Sequence, residues 1–339
     1  MHVLFVHKNF PAQFGHIGRH LVDNHGFGCS FVCELPSADL DGIERIQYKI
    51  GGGATRDTHY CSRTFENATW HAHAVYEAMK ARPDIEPDLV VDIKKIPDLN
   101  VLELSESGLR LGAAVPCYRI YGDSEIASGY AALADSCRII GGTQIQSRAS
   151  VGGNLCNSGP AADSTPSLIA LGARVVIAGP GGRREVTAEE FCTGPGQNVL
   201  EDGELVVEIV FPPRPAVGGS HYRRFIPRNE MDIAVVGVGV ALELDASAET
   251  FVSARIALAA VAATPLYVEA AGAALAGQAV SDEAISAAAA AAREAATPID
   301  DMRGTIEFRK HLCGVLTERV IREAVARARG EETGYRIGY

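Results

Sequence analysis

Paired cysteines are missing from this chain. Eight cysteines are spread over positions 29, 33, 61, 117, 137, 156, 192 and 313. Only Cys29 and Cys33 stand close, as C-x-x-x-C, and no second pair completes a metal site. Iron–sulfur and zinc ligation are therefore not expected of this chain, and its thiols are expected to be reduced and mostly buried. Excess positive charge is missing too. Lys and Arg total 31 against 42 Asp and Glu, a net charge of −11, which argues against nucleic-acid or anionic-membrane binding. No apolar run reaches the roughly 18 residues of a membrane span. The opening "MHVLFVHKNFP" is interrupted too soon for a signal peptide and reads as a first β-strand. A cytoplasmic protein is expected.

What is present fits a soluble globular chain. Its 339 residues, 47% hydrophobic, suffice for two or three domains with sizeable cores. The composition breaks part-way. Eight of ten histidines lie between His2 and His73, and the single tryptophan is Trp70. Alanine dominates the far end, as in "AISAAAAAAREAA" at 284–296. Two segments with different histories are expected to meet near residues 85–92.

Periodicity supports that seam. "HVLFVH" (2–7), "CSFVCEL" (29–35), "RIQYKI" (45–50) and "PDLVVDI" (87–93) read as strands. Helices are expected at about 12–24, with Phe14, Ile17, Leu21 and Val22 on one face, and at 65–81. That alternation predicts a parallel, doubly wound half-lobe. After residue 93 the style becomes α+β. Hairpins turn at Ser107-Gly108 and at Gly179–Gly182, with a helix at 124–138 and one capped by Thr165 ahead of Pro166. Strands follow at 233–244 and 251–262. Helices then start at Thr264-Pro265 and Ser281 and fill 304–328, the last pointing Ile306, Leu312, Val315, Leu316 and Val320 to a core. The expected domains are 1–90, 91–218 and 219–330, with a tail at 331–339.

The segment richest in chemistry is "SVGGNLCNSGPAADSTPSLIALGA", 150–173. Gly152 and Gly153 permit a tight turn and close approach of main-chain N–H groups to a ligand. Ser150 and Asn154 add polar side chains on either side, and Asp163 suits sugar or ribityl hydroxyls. A diphosphate-plus-polyol ligand fits these donors. On spacing alone, a glycine turn without a ligand remains equally open.

Further motifs carry a resemblance. "QIQSRASVGGNLCNSGPAAD" (144–163), "FCTGPG" (191–196), "ELVVEI" (204–209), "RNEMDIA" (228–234) and "ATPIDDMRGTIEFRKHL" (296–312) occur in this order. They resemble the FAD-binding, or medium, subunit of molybdenum hydroxylases, the xanthine and carbon monoxide dehydrogenase group, over about residues 87–329. The resemblance implies that Ser150, Val151, Gly152, Gly153 and Asn154 form a pyrophosphate loop and that Asp163 holds FAD hydroxyls. It places Ile140 and Val206 near the isoalloxazine ring and Arg224 close to the flavin. Arg228 and Asp232 match a joint between domains, with a surface ion pair the equal alternative. Gln146 and Ser147 depart from the family's usual R-N. The implied function is electron transfer from iron–sulfur clusters to FAD and then to NAD or another acceptor. Molybdopterin would sit on a large partner subunit and 2Fe-2S clusters on a small one.

Residues 1–86 resemble something else, the N-terminal lobe of a family-4-type, two-lobed glycosyltransferase. They stand where the flavoprotein family carries a first subdomain with a second diphosphate-gripping loop, so the join reads as a fusion. "IGGGAT" (50–55) is the one local substitute for that loop. Without it, FAD is expected to be held weakly, since each lost charge-assisted bond is worth about 1.5–3 kcal/mol. The competing expectation is a glycosyltransferase-derived chimera with a non-functional flavin portion, in which His16, His71 and His73 would be acceptor-lobe residues.

Overall fold

The computed structural model describes residues 1–6, 9–10, 15–36, 39–52, 73–85, 93–228 and 231–331. Residues 87–92 of the strand expected at 87–93, the first half of the helix at 65–81, Phe14, His71, residues 53–55 of the glycine run and the tail after 331 lie outside these; Ile93 itself opens a short 3-10 turn, Ile93–Lys95, rather than ending a strand. The chain divides into two compact units. One is Met1–Asp92 with Ala178–Gly182 and Leu200–Leu205; the other is the remainder.

In the first unit, strands β1 (His2–Val6), β2 (Gly28–Cys33) and β3 (Ile43–Gln47) form a parallel sheet with β2 central. An apolar run with no polar alternation suits a strand covered on both sides. Phe31, Cys29 and Cys33 of β2 pack with Phe5, Leu21, Val22 and Ile43 on one face. Val32 packs with Ile46, Tyr48, Ala74 and Ile85 on the other. Helix α1 (Gly15–His25) carries His16, and its Ile17, Leu21 and Val22 are half-buried. Residues 73–80 are helical.

Further along the chain, a five-stranded sheet runs in the order Leu102–Ser105, Gly108–Gly112, Leu205–Phe211, Arg174–Gly179, Gly182–Thr187. Both expected hairpins are present in it. The helix expected at 124–138 is two, Ser124–Gly129 and Ala131–Ile139. The break falls at Tyr130, whose ring enters the core against Phe211 and whose hydroxyl donates to the Pro212 carbonyl at 2.8 Å. The helix expected to start from a Thr165 cap is Ser164–Ala170, with Asp163 at the cap position. Thr165 is itself fully buried.

The last part holds an antiparallel sheet of Gly218–Phe225, Val236–Leu244, Phe251–Ala259 and the short Leu266–Tyr267. The first of these strands was not anticipated. Leu266 and Tyr267 pair with Leu258 and Ala257, so the helix expected from Thr264 begins instead at Glu269. Ser281 caps Asp282–Ala295 by accepting from the Ala284 amide, and Thr305 caps Ile306–Ala328 by accepting from Phe308. Leu312, Leu316 and Val320 of the final helix are buried against the sheet, joined by Ile321, Ala324 and Val325; Ile306 and Val315 are only half-buried.

Candidate functional site

The glycine pair is helical. Residues Val151–Cys156 form a short helix, and Ser150 is its N-cap in extended conformation, its Oγ accepting from the Gly153 amide at 3.2 Å. The expectation of a tight turn is corrected here: a cap plus two apolar anchors, Val151 and Leu155, both buried, outweigh glycine's low helix propensity. Gly152 is needed for packing. A Cβ there would lie 2.5 Å from the Ala113 carbonyl oxygen and 2.7 Å from its Cα. Gly153 faces open space apart from the Ser150 Oγ, 3.3 Å from an added Cβ. The Gly153 amide is taken by Ser150 Oγ and the Asn154 amide by the Ser150 carbonyl at 3.0 Å, so of the first-turn amides only those of Val151 and Gly152 have no intrahelical partner.

The polar side chains expected to flank a ligand have protein partners as well. Asn154 Oδ1 accepts from the amide and hydroxyl of Ser164 at 3.1 and 2.6 Å, tying the two short helices together. The Ser150 hydroxyl uses one lone pair on Gly153 and keeps its proton for another acceptor. Asp163 does not cap its helix. Its carboxylate accepts instead from Tyr222 Oη at 2.9 Å and Arg224 Nη1 at 2.5 Å. Burial pushes the Asp163 carboxyl up to about 6, against the opposing pull of the Arg224 charge and the Tyr222 hydrogen bond.

The segments around the remaining candidate residues are as follows. The Val207 carbonyl, next to buried Val206, accepts from the amide of Ala113, the residue on which Gly152 packs. Pro116 bridges Ser150, and the Cys117 amide donates to the Ala149 carbonyl at 2.8 Å. Ile140 ends the helix Ala131–Ile139 in extended conformation and is 8% exposed. The departure at Gln146 is built into the same network. Its side chain is buried, accepts from Tyr121 Oη at 2.9 Å and donates to the Arg138 carbonyl at 2.7 Å. Arg228 and Asp232 pair with each other at 3.0 Å, Arg228 being exposed while the Asp232 side chain is 8% exposed.

Two features escaped the sequence reading. Tyr222 sits two residues before Arg224 on one strand, so both side chains reach Asp163 from the same face. Recognising Gly218–Phe225 as a strand would have found it. Beneath it, Asp135 accepts from His221 Nδ1 at 2.8 Å and from both terminal nitrogens of Arg327 at 2.6 and 3.1 Å. Burial alone would raise the Asp135 carboxyl, but the hydrogen bonds from His221 and Arg327 hold it below the ordinary carboxylate range.

Comparisons with known proteins decide what this constellation belongs to. The FAD binding domain in molybdopterin dehydrogenase matches residues 73–214, and the CO dehydrogenase flavoprotein C-terminal domain matches residues 221–324. The chain is 34% identical over 246 residues to the xanthine dehydrogenase FAD-binding subunit of Escherichia coli O157:H7, covering 71% of this chain and 83% of that one. It belongs to the FAD-binding subunits of the xanthine and carbon monoxide dehydrogenase family.

Other members agree. The carbon monoxide dehydrogenase medium chain of Afipia carboxidovorans is 31% identical, over 76% of this chain and 88% of that one. Among solved structures, carbon monoxide dehydrogenase from Hydrogenophaga pseudoflava superposes with a TM-score of 0.67 at 32% identity, covering 76% of this chain and 88% of that chain. Its mixed α/β fold is shared. The glycosyl transferase family 4 group matches residues 25–93. This overlaps the flavoprotein match at 73–93, so the flavoprotein likeness starts earlier than the sequence motifs suggested.

The site fits FAD. It offers the Val151 and Gly152 amides at the helix start, which have no intrahelical partner, a buried carboxylate with acceptor capacity beyond its two bonds, the Arg224 guanidinium and the apolar Ile140 and Val206. No helix among the described residues is long and apolar enough to cross a membrane.

Proposed function

We propose that this chain is the flavin-bearing electron-transfer subunit of a molybdenum-containing hydroxylase. The Gly153 side of the Val151–Cys156 helix would hold the FAD diphosphate, with Asp163 on the hydroxyls, Ile140 and Val206 against the ring and Arg224 beside it. Bound FAD supplies the redox chemistry, taking electrons from 2Fe-2S clusters on a small partner subunit and passing them to NAD or another acceptor. Substrate would be oxidised at molybdopterin on a large partner subunit, in the cytoplasm. The role of this chain is to bind, orient and tune the flavin. Arg224 supplies a positive charge that favours an electron-rich flavin, and Asp163 both holds that guanidinium and offsets its charge.

The observation that supports this reading is the bonding of Asn154 to Ser164, beside Asp163, and of Asp163 to Arg224, in a chain whose relatives are FAD-binding subunits. Purification of the chain with its partner subunits tests it. The reading expects a yellow complex near one FAD per chain whose absorbance bleaches when substrate is added. A colourless complex that still turns over substrate with an artificial acceptor refutes it.

The match at residues 25–93 favours a second reading, glycosyl transfer. In two-lobed enzymes the activated sugar donor is held mainly by the second lobe, and residues 73–324 here match flavoprotein domains. Half a site lacks the positioning and charge stabilisation that such chemistry requires.

A further inference from the structure

The strand that carries Tyr222 and Arg224 begins, at Gly218, Gly219 and Ser220, on the wall of a cavity of about 630 Å³. None of the nine candidate FAD residues lines it. Its size suits a small organic ligand. One wall is the antiparallel sheet. Ser253 and Arg255 stand two apart on one strand, so their side chains share a face, and Glu243 and Ala241 are directly opposite them on the neighbouring strand. Pro212, Arg214 and Pro215 build a second wall beside Gly129.

The three arginines of the lining are not equivalent. Arg327 gives both terminal nitrogens to Asp135, and one of them also to the Ser220 carbonyl. Arg255 donates from Nε to the Ile169 carbonyl at 3.0 Å and from Nη2 to Glu189 at 2.9 Å, with its guanidinium 4.1 Å from the Tyr267 ring centroid. That clamp fixes the group and leaves Nη1 without a hydrogen bond among the described residues. Arg214 is held by packing alone. It has no hydrogen bond or ion pair among the described residues, and a Cβ added to Gly129 would lie 2.6 Å from its Nη1, so the side chain rests on the Gly129 backbone. Its charge reaches the Tyr130 hydroxyl, where it opposes the upward push of burial. Glu243, half-buried, is the one acid among the described lining residues and is likewise without a partner there.

We propose that this cavity binds a small organic phosphate, a phosphate monoester on a hydroxyl-bearing body of mononucleotide size. The phosphate takes the open donors of Arg214 and the Nη1 donor of Arg255, because a planar guanidinium matches phosphate oxygens with parallel N–H groups. A hydroxyl or N–H of the ligand body donates to Glu243, whose carboxylate would otherwise lose water on closure without gaining a partner. The Ser253 hydroxyl, opposite Glu243, is at hand for the same groups. Leu171 and the rings of Pro212 and Pro215 give the body an apolar surface. A long-chain carboxylate has nothing to offer Glu243, and inorganic phosphate alone leaves the apolar wall wet.

Isothermal titration calorimetry of the full chain with adenosine monophosphate tests this, with and without excess FAD. Binding should be seen below about 1 mM and should be unchanged by FAD. Adenosine, which lacks the phosphate, and inorganic phosphate, which lacks the body, should each bind at least about tenfold more weakly. Arg214→Ala, a change at an exposed position, should weaken the monophosphate by at least about tenfold. Gly129→Ala keeps every charge but pushes the guanidinium off its seat, and should weaken binding several-fold. No binding up to about 1 mM overturns the proposal. So does adenosine or phosphate binding as tightly as the monophosphate, wild-type affinity in either variant, or displacement by FAD. The titration needs no bound flavin, so its failure and failure of the FAD assignment are separately visible.

Discussion

Separate replacement of Gly152 and Gly153 by alanine distinguishes two reasons for a glycine at the site. At Gly152 the new Cβ would meet backbone, the Ala113 carbonyl at 2.5 Å, and backbone cannot rotate away. Overpacking by one methyl costs about 1–3 kcal/mol, and the gain in helix propensity offsets about 1 kcal/mol of it. The Gly152→Ala chain should therefore lose up to about 2 kcal/mol, a fall in Tm of up to about 8 °C for a unit of this size. At Gly153 the new Cβ meets only the Ser150 hydroxyl at 3.3 Å, which can give by a few tenths of an ångström. Stability there should stay within about 1 kcal/mol of wild type. FAD affinity should behave differently. A methyl at 153 projects into the space assigned to the diphosphate, so Gly153→Ala should weaken FAD binding about tenfold or more, at least about 1.4 kcal/mol. Thermal melts of flavin-free protein and fluorescence titration with FAD measure the two effects. A Gly153→Ala chain that binds FAD as wild type does would refute the placement of the ligand.

Three further outcomes follow from the charged residues and one from a cap. Because the folded Asp163 carboxyl is raised to about 6 from 3.8, the folded state binds its proton more tightly than the unfolded state. Stability should then fall as pH rises from about 4 to about 6, by on the order of 3 kcal/mol, and level off above; melts of Asp163→Asn should lack that slope. Removing the Arg327 side chain leaves Asp135 buried with His221 alone, and Arg327→Ala should cost about 3 kcal/mol by urea unfolding. Tyr222→Phe removes one hydrogen bond to Asp163 and should cost about 1 kcal/mol in the same assay. Thr305→Ala removes the cap of the last helix, for a loss of about 1 kcal/mol.

Much of the fold was written locally. The first strand, His2–Val6, announces itself by its apolar run, and Ser281 and Thr305 mark helix starts because a hydroxyl ahead of a helical stretch satisfies an open amide. Where tertiary contact overrides local preference, the sequence misleads. Gly152 and Gly153 signal a turn, yet the contact of Gly152 with Ala113 and the Ser150 cap make the segment helical. Strand Gly218–Phe225 was hidden by its glycines, one of which is required by the final helix: a Cβ on Gly219 would lie 1.9 Å from the Ala324 carbonyl oxygen. Thr165-Pro166 suggested a cap, but the carboxylate one step earlier is turned towards Tyr222 and Arg224. The Asp135–His221–Arg327 cluster joins residues 86 and 192 positions apart, and no local pattern encodes such a meeting. The candidate residues themselves were legible because their motifs lie in order along the chain; their mutual bonds were not.

The central claim is that the first-turn amides of Val151–Cys156 receive the diphosphate of FAD. Residue-resolved hydrogen exchange of the purified chain, with and without saturating FAD, tests it most directly. Slowed exchange at Val151 and Gly152 on addition of FAD is the expected result. Flavin binding that leaves those amides exchanging at their original rates would contradict the account.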